Sequence, residues 1–180
     1  MKRRRRTRSL EDLLGQLDAS DFDTREYGLF QLGLILDRSN LEEGDTISAR
    51  DLTREQMRLR LSGDEQEQVA NSLLRLAFRL KESRASAIWT LSKVEGTVLL
   101  LPLLALIEAV GEQLSDEAAY QACLALSKCL GTRNGIPAPV RASLRAAKLR
   151  ATLDRWHKGR DQRLGRAAAS AIAVIKQLDA

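Results

Sequence analysis

Four basic residues of one predicted C-terminal helix, over residues 138–157, are spaced so that they share a face. Their intervals are i, i+4, i+7 and i+14, and the residues are Arg141, Arg145, Lys148 and Arg155. Because these intervals return to nearly the same angle around a helix, the side chains are expected to form a stripe of positive charge. Such a stripe binds phosphates or an acidic protein surface, although a solvated arginine face has the same pattern.

A second group of cations lies at the start of the chain. Residues 2–8 contain six basic and no acidic side chains, among them Arg3, Arg4, Arg5 and Arg6. We interpret residues 1–8 as a disordered basic leader that contacts nucleic acid, an acidic membrane surface or an acidic partner, or that only increases solubility. No amphipathic apolar segment adjoins the leader, so the membrane interpretation is the weakest.

The chain offers few groups for catalysis or metal binding. Its one histidine, His157, is expected to help the last carbonyl groups of its helix and not to act as a base. Cys123 and Cys129 lack the spacing and the histidine neighbours of a zinc site, so we expect both to be small core residues in a reducing cytoplasm. No nucleotide, metal or hydrolase motif is found, and we predict no catalytic residue, cofactor or metal.

The net charge of +5 conceals a separation of charge along the chain. Residues 9–136 carry 13 basic and 21 acidic side chains, whereas residues 137–180 carry ten basic and three acidic ones. The basic ends are therefore expected to attract polyanions or the acidic middle of a second copy, which makes self-association conceivable. The longest apolar run, residues 98–107, contains Pro102 and is too short to cross a bilayer, so we expect a soluble protein without membrane insertion.

Hydrophobic residues recur at intervals of three and four along most of the chain, which favours an all-α fold. Helices are predicted over residues 9–17, 24–37, 53–61, 65–81, 84–94, 98–113, 116–130, 138–157 and 161–178. Residues 39–51 are polar and contain Gly44, so they are expected to form a loop insertion. Because proline costs little only in the first turn of a helix, Pro102 places the start of its helix near Leu100.

Four of these helices share a register. A small or basic residue is followed after three positions by a small residue, then after four by an aliphatic residue and after three by an apolar one. The copies are Arg25, Gly28, Leu32 and Ile35; Arg84, Ala87, Leu91 and Val94; Ala119, Ala122, Leu126 and Cys129; and Gly165, Ala168, Ile172 and Ile175. The small residue lets neighbouring helices approach closely, and the larger residues fill the groove between successive helix pairs.

The segments RASAIWTLSKVEGTVLLLPLLALIEAV (residues 84–110) and DEAAYQACLALSKCLG (residues 116–131) resemble HEAT-like repeats, particularly the short bacterial type first noticed in phycobilisome lyase subunits. The resemblance covers about two thirds of the chain and implies a right-handed α-α superhelix, a HEAT-like solenoid of about four irregular helix pairs in a single domain over residues 9–180. An ordinary helical bundle with shared amphipathic spacing is the alternative.

This architecture predicts a non-catalytic cytoplasmic scaffold or adaptor that binds a protein partner along its concave face. The alternative is a nucleic-acid-binding protein that uses the C-terminal helices and the leader, although exposed aromatic residues that stack on bases are expected to be scarce. Trp89 is expected to pack in the core or between repeats. A third hypothesis is a lyase-like or DNA-repair-type HEAT enzyme, but no functional residue of those enzymes can be transferred to this chain.

Overall fold

The computed structural model describes residues 10–40, 56–94, 99–131, 136 and 138–179. Within these ranges the chain forms helices and no β-strand, which confirms the all-α prediction. The α-helices are α1 (Leu10–Leu17), α2 (Phe22–Ser39), α3 (Gly63–Arg79), α4 (Arg84–Leu91), α5 (Leu100–Val110), α6 (Asp116–Gly131), α7 (Ala138–Leu144), α8 (Ala147–His157) and α9 (Gln162–Asp179), with short 3-10 helices at Gln56–Arg58 and Gly111–Gln113.

Local sequence signals account for the starts of several helices. Asp21 caps α2 by accepting a hydrogen bond from the backbone N–H of Thr24 at 2.8 Å. Ser62 and Glu65 form a reciprocal capping box at the start of α3. Pro102 lies in the first turn of α5, which begins at Leu100 as predicted. The loop predicted over residues 39–51 lies outside the described residues beyond Asn40.

The prediction of one helix over residues 138–157 is wrong, because the chain breaks between α7 and α8. Ala146 has an extended backbone with φ −58° and ψ 129°, and α8 begins after it. Leu144 and Leu149 are both buried, although five residues separate them and would point them apart on a continuous helix. The break turns the chain so that both leucines reach the core.

Helices that are consecutive in sequence pack as four pairs. Pair 1 is α1 with α2, pair 2 is α3 with α4, pair 3 is α5 with α6, and pair 4 is α8 with α9. Contacts also run from pair to pair. In what we call the first row, α1 packs against α3, α3 against α5 and α5 against α8; in the second row, α2 packs against α4, α4 against α6 and α6 against α9.

Neighbouring helices α2 and α4 run in the same direction. Ser86 near the start of α4 donates a hydrogen bond to Glu26, and Lys93, just beyond the end of α4, pairs with Asp37 towards the end of α2. Asn40, just beyond α2, donates to the carbonyl of Lys93 at 2.6 Å. Contacts that advance together along both helices require a parallel arrangement.

The residues of the shared register meet at these helix contacts. Fifteen of the sixteen positions are buried, including the four small residues Gly28, Ala87, Ala122 and Ala168. A Cβ atom on Gly28 would lie 3.0 Å from Cβ of Gln16 on α1, which shows how closely these two helices approach. The predicted burial of the register is confirmed, with Ile172 as the one half-buried exception.

Candidate functional site

A line of large apolar side chains crosses the exposed side of the second row. It occupies one register position, two residues after the small residue, and consists of Phe30 on α2, Trp89 on α4 and Leu124 on α6. Phe30 and Leu124 are 39% and 41% exposed, and Trp89 is half-buried. We call these three residues the apolar ridge. Ser170 on α9 continues the same register position as an exposed polar residue.

The ridge depends on a close approach between α2 and α4. The rings of Phe30 and Trp89 stack with their centroids 6.2 Å apart and an interplanar angle of 12°. A Cβ atom on Gly33 would lie 2.5 Å from the indole ring, so only glycine lets the ring rest against α2. Trp89 therefore packs between pairs 1 and 2, while one side of it contributes to the exposed surface.

Cations lie over the aromatic rings of this surface, and carboxylates hold them there. Nζ of Lys93 is 5.1 Å from the centroid of the Trp89 indole and 3.0 Å from Oδ2 of Asp37. Arg163 of α9 lies over the Tyr120 ring at 4.3 Å and also pairs with Glu117 of α6. Each cation thus already has a ring and a counterion within the protein.

Hydrogen bonds keep Glu117 ionised. Its carboxylate accepts hydrogen bonds from Gln121 and from Arg163, and these bonds, with the positive charge of Arg163, lower the pKa of Glu117 against the opposing effects of burial and of Asp161. The ion pair that joins α6 to α9 therefore persists well into the acidic range.

The basic residues predicted to form one stripe are distributed differently. Arg141 lies on α7, Arg145 in the turn after it, and Lys148 and Arg155 on α8, so the break at Ala146 removes the single helix face. All four side chains are exposed. The leader residues Arg3, Arg4, Arg5 and Arg6 lie outside the described residues.

Arg155 and Arg141 make side-chain contacts within the protein. Arg155 pairs with Glu112 at 2.9 Å, and Nε of Arg141 donates to the carbonyl of Ile136 at 3.1 Å. The hydrogen bond and charge of Arg155, with the nearby charge of Lys148, lower the pKa of Glu112. Arg155 therefore forms an ion pair that joins pair 3 to pair 4.

The two cysteines and the histidine, considered above for nucleophilic or acid–base chemistry, lie where they contribute to packing and helix contacts. Cys123 and Cys129 are free and buried, as predicted, and burial raises their pKa values to about 12 and about 11, which keeps both as unreactive thiols. Nδ1 of His157 lies 3.1 Å from the carbonyl oxygen of Gly165 on α9. The histidine thus contacts the following helix, whereas the sequence predicted that it would help the carbonyls of its own.

The described part of the chain contains no cluster of three or more histidine, cysteine, aspartate or glutamate residues that could hold a metal ion. None of the described helices combines the length and the hydrophobicity that crossing a bilayer requires.

Comparison with known proteins adds no relative. No protein-family model matches the chain, and no curated protein sequence matches it.

Proposed function

We propose that this chain is a HEAT-like helical-repeat protein whose four pairs stack as a right-handed superhelix, and that it is a non-catalytic cytoplasmic scaffold for a protein partner. Ordered contacts between successive pairs and the buried register support the architecture. In such stacks one row of helices lines the concave side, and we assign the second row to it. The free thiols of Cys123 and Cys129 fit a reducing compartment.

The position of the aromatic residues carries the proposal. Five of the seven aromatic side chains lie on α2, α4 and α6 and keep part of their surface exposed; they are Phe22, Tyr27, Phe30, Trp89 and Tyr120. Aromatic anchors that cluster in this way are typical of protein interfaces, where single residues contribute about 2 kcal/mol or more. The apolar ridge is therefore the proposed anchor site for apolar side chains of the partner.

The charges of the same surface favour a protein over a polyanion. Lys93 and Arg163 are neutralised by Asp37 and Glu117, so they have few counterions to release to a phosphate backbone. Exposed Asp23 at the start of α2 adds negative charge at one end, while exposed Arg166 adds positive charge on α9 at the other. A surface with an acidic end, an apolar centre and a basic end suits a polypeptide of mixed charge.

Photo-crosslinking in the cells that make this protein tests the proposal. A photoreactive phenylalanine analogue at position 30 or 124 is expected to give the same discrete higher-mass adduct after irradiation, because both positions lie on the ridge. Position 78 is the matched control, since Phe78 is 43% exposed but lies on α3 in the first row. The protein-binding proposal fails if positions 30 and 124 give no adduct, or if position 78 gives the same one.

Nucleic-acid binding is the second candidate, and the charge of pair 4 with α7 favours it. Residues 138–179 carry ten basic and three acidic side chains, with Arg141, Arg145 and Lys148 exposed. If these residues grip phosphates, replacing all three with Gln should flatten the decline of affinity with rising salt by up to about three units of logarithmic slope. No binding to generic single- or double-stranded nucleic acid at low salt would eliminate this candidate.

A further inference from the structure

The face of pair 4 that points away from pair 3 differs from the equivalent faces of the other pairs. At the aliphatic position of the register, Leu32, Leu91 and Leu126 are fully buried, whereas Ile172 of α9 is half-buried. Ile172 lies nine residues after Arg163, which contacts α6, and nine residues correspond to half a rotation around a helix. Ile172 therefore faces away from pair 3, where no described helix covers it.

A groove of about 310 Å³ opens beside Ile172, between α8 and α9. Leu153 and Ile175 form its buried floor, and Arg150, Asp154 and Lys176 line its rim. The groove therefore has an apolar base and two cations against one anion at its edge. An apolar floor with charged residues at its rim can accept side chains from the apolar side of an amphipathic helix.

The charges of the four pairs indicate what such a helix should carry. In the described residues the net charge alternates: residues 10–40 of pair 1 carry −5, residues 56–94 with pair 2 carry +3, residues 99–131 with pair 3 carry −3, and residues 138–179 with pair 4 carry +7. The sign changes at every junction.

Four of the five described ion pairs across the junctions follow this alternation. Asp18 and Asp37 of pair 1 bind Arg79 and Lys93 of pair 2, and Glu112 and Glu117 of pair 3 bind Arg155 and Arg163 of pair 4. Each of these four takes its cation from a basic pair and its anion from an acidic one, whereas the fifth, Arg25 of pair 1 with Glu82 of pair 2, is reversed. A layer that continued the prevailing pattern beyond pair 4 would be acidic.

We infer that the groove between α8 and α9 binds an amphipathic helix of a partner protein, with apolar side chains seated on Leu153, Ile172 and Ile175 and acidic side chains beside Arg150 and Lys176. This site is separate from the apolar ridge, so it does not depend on the function proposed above. It adds a second docking surface, selective for acidic helices, at the basic end of the protein.

The test uses the full chain and three synthetic peptides of about 18 residues, the length of the longer helices that pack in this fold. The first is a helix with leucine at i, i+3, i+4 and i+7 and glutamate on its flanks. The second replaces every glutamate with lysine, and the third scrambles the first. Fluorescence anisotropy at low salt should show saturable binding of the acidic helix alone, with a Kd on the order of 10–100 µM.

Two variants place this binding in the groove. Ile172→Glu removes the apolar seat and repels the acidic helix, so the affinity should fall about tenfold or more. Ala173→Glu makes the same charge change at the adjacent, exposed position and should leave the affinity within about twofold. Because Ile172 also contributes to packing, Lys176→Glu at an exposed position gives an independent reading and should weaken binding several-fold without unfolding.

Three results of the peptide experiment would overturn the inference: equal binding of the acidic and basic peptides, no binding of any peptide, or the same affinity for Ile172→Glu and Lys176→Glu as for Ala173→Glu. Sedimentation of the chain alone could give a fourth contradicting result. Concentration-dependent association abolished by Ile172→Glu would assign the groove to a second copy and not to a partner helix.

Discussion

The junction between α2 and α4 and the junction between α6 and α9 join equivalent helices by different means. At the first, the guanidinium of Arg25 is 4% exposed and bonds to the carbonyls of Ala19 and Ser20 at 2.8 and 3.2 Å, to Oγ of Ser83 at 3.2 Å and to Glu82 at 3.1 Å. Thr90 adds a buried hydrogen bond to the carbonyl of Leu29 at 3.1 Å.

The second junction has buried alanines on both helices and an exposed ion pair between them. Ala119 and Ala122 of α6 and Ala168 and Ala171 of α9 are buried. The Arg163–Glu117 pair, by contrast, is about half exposed on both sides. Buried hydrogen bonds to a charged group are strong and costly to lose, whereas exposed ion pairs are screened by water. The same stacking geometry is therefore fixed by specific polar contacts at the N-terminal end and by close apolar packing at the C-terminal end.

The largest expected effect is at Arg25. Arg25→Met should lower the free energy of unfolding by about 2–3 kcal/mol, because it removes the donor to two part-buried carbonyls and to the hydroxyl of buried Ser83. Arg84→Met is the matched control at the same register position. Its guanidinium has one described hydrogen bond, from Nε to the carbonyl of Ala77 at 2.7 Å, so a loss of about 1 kcal/mol is expected. If urea denaturation shows equal losses of unfolding free energy for Arg25→Met and Arg84→Met, the Arg25 contacts do not distinguish this junction.

Alanine substitutions at two glycines should have smaller effects on stability, one destabilising and the other stabilising. Gly33→Ala should destabilise the protein by about 1–2 kcal/mol, since the new methyl group would meet the Trp89 ring at 2.5 Å. Gly15→Ala on α1 adds a methyl group with nothing within 4 Å and should stabilise the protein by up to about 1 kcal/mol through helix propensity. Thermal unfolding measures the stability of both variants. A neutral Gly33→Ala would contradict the close α2–α4 approach.

The smallest expected effect is a pH dependence at the junction between pairs 3 and 4. The folded pKa values of Glu112 and Glu117 are lowered from 4.5, so their contribution is complete above pH 4.5 and is lost as the pH falls through the lowered values. Hydrogen bonds from Thr24 also lower the pKa of Asp21 at the start of α2, so α4 is the reference helix. The protection of α9 amides against exchange should therefore fall at acidic pH before that of α4.

Replacing both glutamates with Gln provides the control for this titration. The double variant should show the faster α9 exchange already at neutral pH, with little further change on acidification. If α4 loses protection first in the wild-type chain, the assignment of titrating contacts to the pair 3–pair 4 junction is wrong.

Much of the fold can be predicted from the sequence because the buried residues of a helix recur at helical intervals. The register that runs through Gly28, Ala87, Ala122 and Ala168 identified the helices that meet, and Pro102 located the start of α5. The break between α7 and α8 was missed because Ala146 and Ala147 are good helix formers with no turn signature. A signal was present: the interval of five between Leu144 and Leu149 cannot keep both on one helix face.

The candidate site was harder to predict because periodicity reveals the buried side of a helix more clearly than the exposed one. Exposed aromatic residues were expected to be scarce, yet Phe22, Tyr27 and Phe30 keep 47%, 49% and 39% of their surface exposed. The common offset of the ridge residues, two positions after the small residue of the register, was readable in the sequence. The stacking of Phe30 on Trp89, in contrast, depends on a helix separation that only three-dimensional packing sets.

Helices α2, α4, α6 and α9 lie in one row, and distances between spin labels measure their order. Cysteines at Phe30, Leu124 and Ser170, in a background with Cys123 and Cys129 replaced by alanine, place labels on α2, α6 and α9. With about 9 Å between neighbouring helices, the account predicts about 20 Å from position 30 to 124 and about 30 Å from position 30 to 170. A distance from 30 to 170 equal to or shorter than that from 30 to 124 would indicate a closed bundle and contradict the row.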